Sequence, residues 1–309
     1  MKKLLIATIA LILTMPVAAN AALKNQTITT PPALAILDTA LDTSLPIFKD
    51  KIAYEACILE YSSCANGQKT MFGVGAASMP IDWMKTNGFD HGTLMASAAI
   101  QANPDMKIVF VRIIPHNLIN GARKPISNSM VGEALNWVYA NKDLYNIQAV
   151  AMSQGTHVLL NSVDYCPKEP KTELAISNLF SSGIPTFLAV GNGRDYTKID
   201  WPSCIPNSIA VGATDQIGEI ASYSNYDKLL DIYAAGYANM YAPGNIQVYN
   251  VGTSIATQIA ASQYIKIKSA KPTYTFTQLY DLIIKTSFVA KSGRVPYGKA
   301  INLQGALNG

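Results

Sequence analysis

The sequence is poor in the residues that most chemistry-bearing motifs need. Its 309 residues hold three histidines, His91, His116 and His157, and four cysteines. No HExxH or CxxC pair occurs, so a transition-metal centre lacks its ligands. No GxGxxG follows a strand and no GxxxxGK[ST] is present, which removes the phosphate-cradling loops. Charge is scarce as well, at 14% of residues, against about a quarter in ordinary domains. Lys2 and Lys3 supply two of the four net positive charges, and no Lys/Arg cluster stands out elsewhere. A surplus that mild argues against a nucleic-acid partner. Four cysteines over this length do not make a disulfide scaffold.

What is present is apolar. Hydrophobic residues make up 49% of the chain. That excludes disorder and is enough for a sizeable core in one large domain or two ordinary ones. The first residues speak to compartment. Met1-Lys2-Lys3 is positive, residues 4–15 are almost purely apolar, Pro16 breaks the run, and Ala19-Asn20-Ala21 has small residues at a cleavage spacing. This order of parts predicts a secretory signal over 1–21. The run is short for a membrane span, and no stop-transfer pattern follows. The exported chain would be 22–309, periplasmic or extracellular, with no membrane contact after the signal leaves. Export permits disulfides. Cys57, Cys64, Cys166 and Cys204 allow three pairings; a local Cys57–Cys64 loop and a longer Cys166–Cys204 link are favoured, with buried thiols as the alternative.

Beyond residue 32, apolar strand-like runs alternate with helical ones. Strands are expected at 33–37, 107–114, 149–153, 185–190 and 208–213, and helices at 92–102, 131–142 and 173–182, with an apolar helical run from Ser254 to about Lys266. That alternation predicts an α/β fold with a mostly parallel sheet and helices on both faces, in one domain. Ligands of such sheets sit beyond the carboxyl ends of the strands. Asp38, Ser153 and Asn192 each end an apolar run there.

Each candidate residue has an ordinary reading and a chemical one. Asp38 caps a strand end, yet a carboxylate can also hold an imidazole in one tautomer. His91, in Asp90-His91-Gly92-Thr93, starts a small-residue helix, and Gly92 allows close approach of another segment. His116 follows Pro115 in a polar loop and is expected at the surface. Asn192, in Val190-Gly191-Asn192-Gly193, reads as a turn residue or as an amide donor to an oxyanion. Ser254 reads as a helix cap or as a hydroxyl at a helix start, where free amides favour developing negative charge.

Taken in the order Asp, His, Asn, Ser, these segments resemble those of the subtilisin-like serine proteases, the subtilases. Asp38-Thr39 with Asp42 and Pro46 is similar to the family's aspartate segment. His91-Gly92-Thr93 with Ala96 resembles its histidine segment, residues 189–192 its oxyanion segment, and Gly252-Thr253-Ser254-Ile255-Ala256-Thr257 its serine segment. Met152-Ser153-Gln154-Gly155 resembles the substrate-binding strand end. The segments 208–213, 221–226, Asp231-Ile232, Ala242-Pro243-Gly244 and 297–306 fit the remainder. The resemblance implies a three-layer subtilisin-like fold and a secreted, monomeric serine endopeptidase. Asp38, His91 and Ser254 would form the triad and Asn192 would donate to the oxyanion. Ser153, Gln154, Gly155 and Gly191 would line the substrate site, and a peptide or protein would be the substrate. The chemistry asks for no cofactor. Calcium is common in the family, but no carboxylate cluster here specifies a site.

The departures are specific. Ala40 and Ser97 stand where the family has glycine, and Gln258 where it commonly has proline, which bears on the pose of Ser254. No domain-sized propeptide separates the predicted cleavage site from Asp38. Residues 117–129 are expected to form part of the substrate rim. Two other readings stay open: a non-catalytic binding protein on the same scaffold, and an esterase with Ser153 in an Ala-Met-Ser-Gln-Gly elbow. The elbow's fold needs a histidine late in the chain, and none follows His157.

Overall fold

The computed structural model describes residues 30–116, 118–119, 122–123, 128–156 and 166–309. His157 and most of the expected 117–129 rim lie outside the described residues. Residues Pro31–Gly309 form a compact unit. In chain order its elements are β1 (Ala33–Asp38), β2 (Ile52–Ile58), β3 (Thr70–Phe72), α1 (Ile81–Thr86), α2 (His91–Ala102) and β4 (Lys107–Arg112). The two-residue strands β5 (Leu118–Ile119) and β6 (Ala122–Arg123) follow, then α3 (Asn128–Asn141), β7 (Ile147–Met152), α4 (Pro170–Ser181), β8 (Thr186–Ala189) and β9 (Ser208–Thr214). Next come β10 (Ile232–Ala235), the hairpin β11 (Tyr237–Ala242) and β12 (Ile246–Val251), and the long helix α5 (Thr253–Ala270). The chain closes with α6 (Phe276–Thr286), β13 (Phe288–Ala290), β14 (Gly298–Ala300) and α7 (Leu303–Asn308).

Ten strands make one sheet in the order β13-β14-β10-β9-β8-β7-β1-β4-β2-β3. Every pairing is parallel except β2–β3 and β13–β14 at the two edges. Parallel strands need crossovers that cover both faces, and so read as continuous apolar runs. β1 shows this: all six of its residues are buried. Ala33, Ala35 and Leu37 pack on one face with Val131, Leu135, Val138 and Ile176 from α3 and α4. Leu34 and Ile36 pack on the other with Ala99, Ala260, Ile265 and Leu279 from α2, α5 and α6. Each such Leu or Ile contributes about 1.5–3 kcal/mol by burial. Among the described residues, no helix is long and apolar enough to cross a membrane.

Both favoured disulfides form, Cys57–Cys64 and Cys166–Cys204. The first closes the loop after β2, and the second ties the segment before α4 to the loop before β9. His116 departs from the expected surface position. It is partly buried, its Nδ1 accepts from Arg112 at 2.7 Å, and its ring lies edge-on to Trp83. The apolar surroundings of Arg112 at the end of β4 explain the change: its guanidinium is buried, and His116 supplies an acceptor.

Candidate active site

β1 lies between β4 and β7, and the chain turns to opposite sides of the sheet there. The carboxyl ends of β1, β7 and β8 therefore open onto one cleft of about 470 Å³. His91, Ser153, Gln154, Gly155, Gly191, Asn192 and Ser254 line it together. Asp38 lies beneath, fully buried at the end of β1.

The Asp38–His91 pair is held by its flanking residues. The Thr39 amide donates to Asp38 Oδ1 at 2.7 Å, which fixes the carboxylate. The Thr39 hydroxyl accepts from the Gly92 amide at 2.7 Å, and Thr93 Oγ1 donates to the Ala40 carbonyl at 3.2 Å. These bonds pin the first turn of α2 to the loop after β1. Gly92 is required there, since a Cβ would stand 2.7 Å from both the Ala40 carbonyl and Phe110 Cζ. His91 Nδ1 consequently lies 2.8 and 3.0 Å from the two Asp38 oxygens. The ring is 30% exposed, so its far edge reaches the cleft. Asp42 extends the clamp: its carboxylate accepts from Ser44 and from the Gly244 amide, joining two segments that the sequence placed in family motifs.

Ser254 sits in the first turn of α5. The Thr253 amide and hydroxyl both donate to Asn192 Oδ1, at 2.9 and 3.0 Å. The Ile255 and Ala256 amides turn back to the Gly252 carbonyl. The Ser254 amide has no acceptor among the described residues, as expected of a first-turn donor. With Asn192 Oδ1 committed, its Nδ2 is the group left to donate outward. A methyl group imagined on Gly252 would lie 3.6 Å from Asn192 Nδ2 and 3.8 Å from the Ser254 nitrogen. The two donors therefore border one spot beside Ser254. Gly191 adopts φ +99°, and a Cβ there would stand 2.1 Å from Asp200 Oδ2, so only glycine fits.

Ser153 is 8% exposed, and its hydroxyl is used in both directions. It donates to the Ser254 carbonyl at 3.0 Å and accepts from Gln258 Nε2 at 2.9 Å. Ser254 Oγ donates to the Ser153 carbonyl at 3.4 Å. The serine of the elbow-like motif is thus a strut under Ser254. Gln258, rather than loosening the helix start, fastens it through Ser153. Ser97, another of the three departures, accepts from the Tyr241 amide at 2.9 Å and from Gln101, tying α2 to β11. Gly155 lies against the strand-like bridge between Thr156 and Trp201; a Cβ there would meet the Trp201 carbonyl at 2.6 Å.

Sequence reasoning missed two features. Asp200 lines the cleft between the 153–155 and 189–192 segments, accepting from Asn225 Nδ2 at 3.1 Å. Gln154, expected in the substrate wall, also reaches Asp38 and His91. No short motif marks either residue, since both depend on how distant loops pack. Beside the site, burial lowers Arg112 to about 10. Burial first, and then Arg112, hold His116 below its usual value. Among the described residues, no group of three or more His, Cys, Asp and Glu side chains is placed to hold a metal ion.

The family model described as the subtilase family matches residues 30–306. The chain is 27% identical over 224 residues to an alkaline protease of Alkalihalobacillus alcalophilus, covering 69% of this chain and 53% of that protein. It is equally identical to subtilisin Savinase of Lederbergia lenta, covering 69% and 76%. The chain thus spans about half the length of the first of these relatives. Among solved structures, the protease domain of PatA superposes with a TM-score of 0.70 at 18% identity, covering 92% of this chain and 97% of that one. A protease of Pseudoalteromonas arctica gives 0.71 at 19%, covering 90% of each. At those identities the likeness concerns the fold.

Proposed function

The chain belongs to the subtilase family, and from that premise we propose that it is an exported serine endopeptidase built from residues 22–309, with residues 1–21 removed on secretion. Ser254 Oγ attacks the peptide carbonyl while His91 Nε2 takes the hydroxyl proton. His91 returns that proton to the leaving nitrogen as the C–N bond breaks. Water then attacks the acyl-enzyme by the same route. Asp38 keeps the Nδ1 proton in place and stabilises the imidazolium. The Ser254 amide and Asn192 Nδ2 receive the oxyanion. The observation that carries this reading is the Asp38–His91 contact of 2.8 Å opening onto the cleft that Ser254 and Asn192 share.

The cleft also favours a substrate class. Besides His91, the charged groups among its described lining residues are Asp90 and Asp200, both acidic. Asp200 lies between the two segments that would hold the side chain preceding the scissile bond. A basic side chain there is the complement, so we expect cleavage after Lys or Arg. The protein would act as a monomer on an extended peptide paired along residues 153–155.

The test is cleavage of a peptide library read by mass spectrometry. Cleavage lost in Ser254→Ala, and reduced about a hundredfold or more in kcat by Asn192→Ala, supports the reading. Unchanged turnover in either variant contradicts it. A library cleaved without preference for basic residues removes the Asp200 assignment alone.

A further inference from the structure

Gln154 carries its amide onto the acid–base pair. Its Nε2 lies 3.2 Å from Asp38 Oδ1 and 2.9 Å from His91 Nδ1. A carboxylate only accepts, so the amide presents its NH₂ group to Asp38 and not its oxygen. The same nitrogen then faces His91 Nδ1. When Nδ1 bears the proton it gives to Asp38, two donors stand 2.9 Å apart and aim at one oxygen. That oxygen also takes the Thr39 amide at 2.7 Å. Three donors converge on Asp38 Oδ1.

Two effects follow, and they have the same sign. Each donor other than the imidazole stabilises the carboxylate by itself, and so lessens what the anion gains from a positive ring. The donor-to-donor contact adds repulsion that grows when the ring is charged. Among the described residues, the other charged groups lining the cleft beside His91 are acidic. Asp90 precedes it on the chain and Asp200 lies across the cleft; both acids favour the protonated ring. α5 presents Ser254 and Thr253, and β12 presents Asn250, none of them charged. Arg112 of β4 turns onto Phe89, 5.6 Å from the ring centroid, and onto His116.

We propose that Gln154 is a positioning residue that lowers the proton affinity of His91 through Asp38, keeping the base free at more acidic pH than the bare pair would allow. The inference deepens the serine-protease reading and rests on it for its function. Its geometry can be tested without turnover. The chain has three histidines, so the His91 imidazole signals are assigned by their loss in His91→Asn. In purified Ser254→Ala protein, NMR titration would compare the parent residue with Gln154→Leu and Gln154→Glu. The His91 midpoint is expected to rise by about half a unit to one unit with leucine, and by about one to three units with glutamate. With Ser254 restored, the acid limb of the kcat/KM profile should move by the same steps in the same order. An unchanged or lower midpoint with leucine overturns the inference, whatever the glutamate variant does; a purely structural role would change kcat and leave the leucine midpoint at the parent value. If no Ser254-dependent turnover exists, the protease reading fails while the NMR order still decides this one.

Discussion

Replacing Gln258 with leucine tests the energetics of the strut beneath Ser254. Gln258 is fully buried in the first turns of α5. Its Nε2 donates to Ser153 Oγ, whereas its Oε1 has no partner among the described residues. Leucine keeps the volume and removes both groups. The lost neutral hydrogen bond costs about 0.5–1.5 kcal/mol, and removing an unpartnered buried carbonyl returns about 1–3 kcal/mol. Ser153 keeps its bond to the Ser254 carbonyl. The net expectation is a change of about 0–2 kcal/mol toward stability, or a Tm higher by up to several degrees. Gln258→Glu is the companion: it places an unpaired carboxylate in the same slot and should cost about 3–5 kcal/mol near neutral pH. Thermal and denaturant unfolding of the three proteins measures both. A leucine variant less stable than the parent by more than about 1 kcal/mol would refute the reasoning, since it would mean that the Oε1 group is satisfied in the native protein.

Gly252→Ala should fold normally, because its φ of 162° is extended and an added Cβ meets only ordinary contacts; yet that methyl fills the spot between Asn192 and the Ser254 amide, so kcat should fall about a hundredfold or more with Tm unchanged. Gly92→Ala should do the reverse of that separation, losing about 1–3 kcal/mol of stability and activity together, as read by unfolding and peptide hydrolysis. His116 is held below its usual value by burial and by Arg112. The unfolded chain therefore binds the proton first, and stability should fall as pH drops below about 6.5. His116→Gln should flatten that part of the slope in Tm measured from about pH 7.5 to 5.5; an unchanged slope would remove His116 as its cause.

The central strands were legible because both faces of the sheet are covered, which leaves unbroken apolar runs such as those of β1 and β9. β2 was not, because Glu55 interrupts its pattern. That glutamate is buried, with its carboxylate accepting from the Gly75 and Ala77 amides at 3.0 and 3.1 Å, a pairing no local spacing shows. The β11–β12 hairpin was missed for the opposite reason: β12 is largely exposed and lacks a buried face. In the site, Asp38, His91, Asn192 and Ser254 were visible because each lies in a short segment whose neighbours serve it, as Thr39 and Gly92 do for the Asp38–His91 pair. The effects of Ala40, Ser97 and Gln258 were legible only as departures. What Ser97 and Gln258 do depends on Tyr241 and Ser153, which lie far along the chain. Asp200 and the inward turn of Gln154 were hidden for the same reason.

The most direct test of the central claim is covalent labelling by a fluorophosphonate, which reacts where a serine hydroxyl, a base and an oxyanion site are assembled. The parent should label, Ser254→Ala should not, and Ser153→Ala should retain a labelled Ser254 at a reduced rate. Labelling that persists in Ser254→Ala, or is absent from the folded parent, would contradict the account.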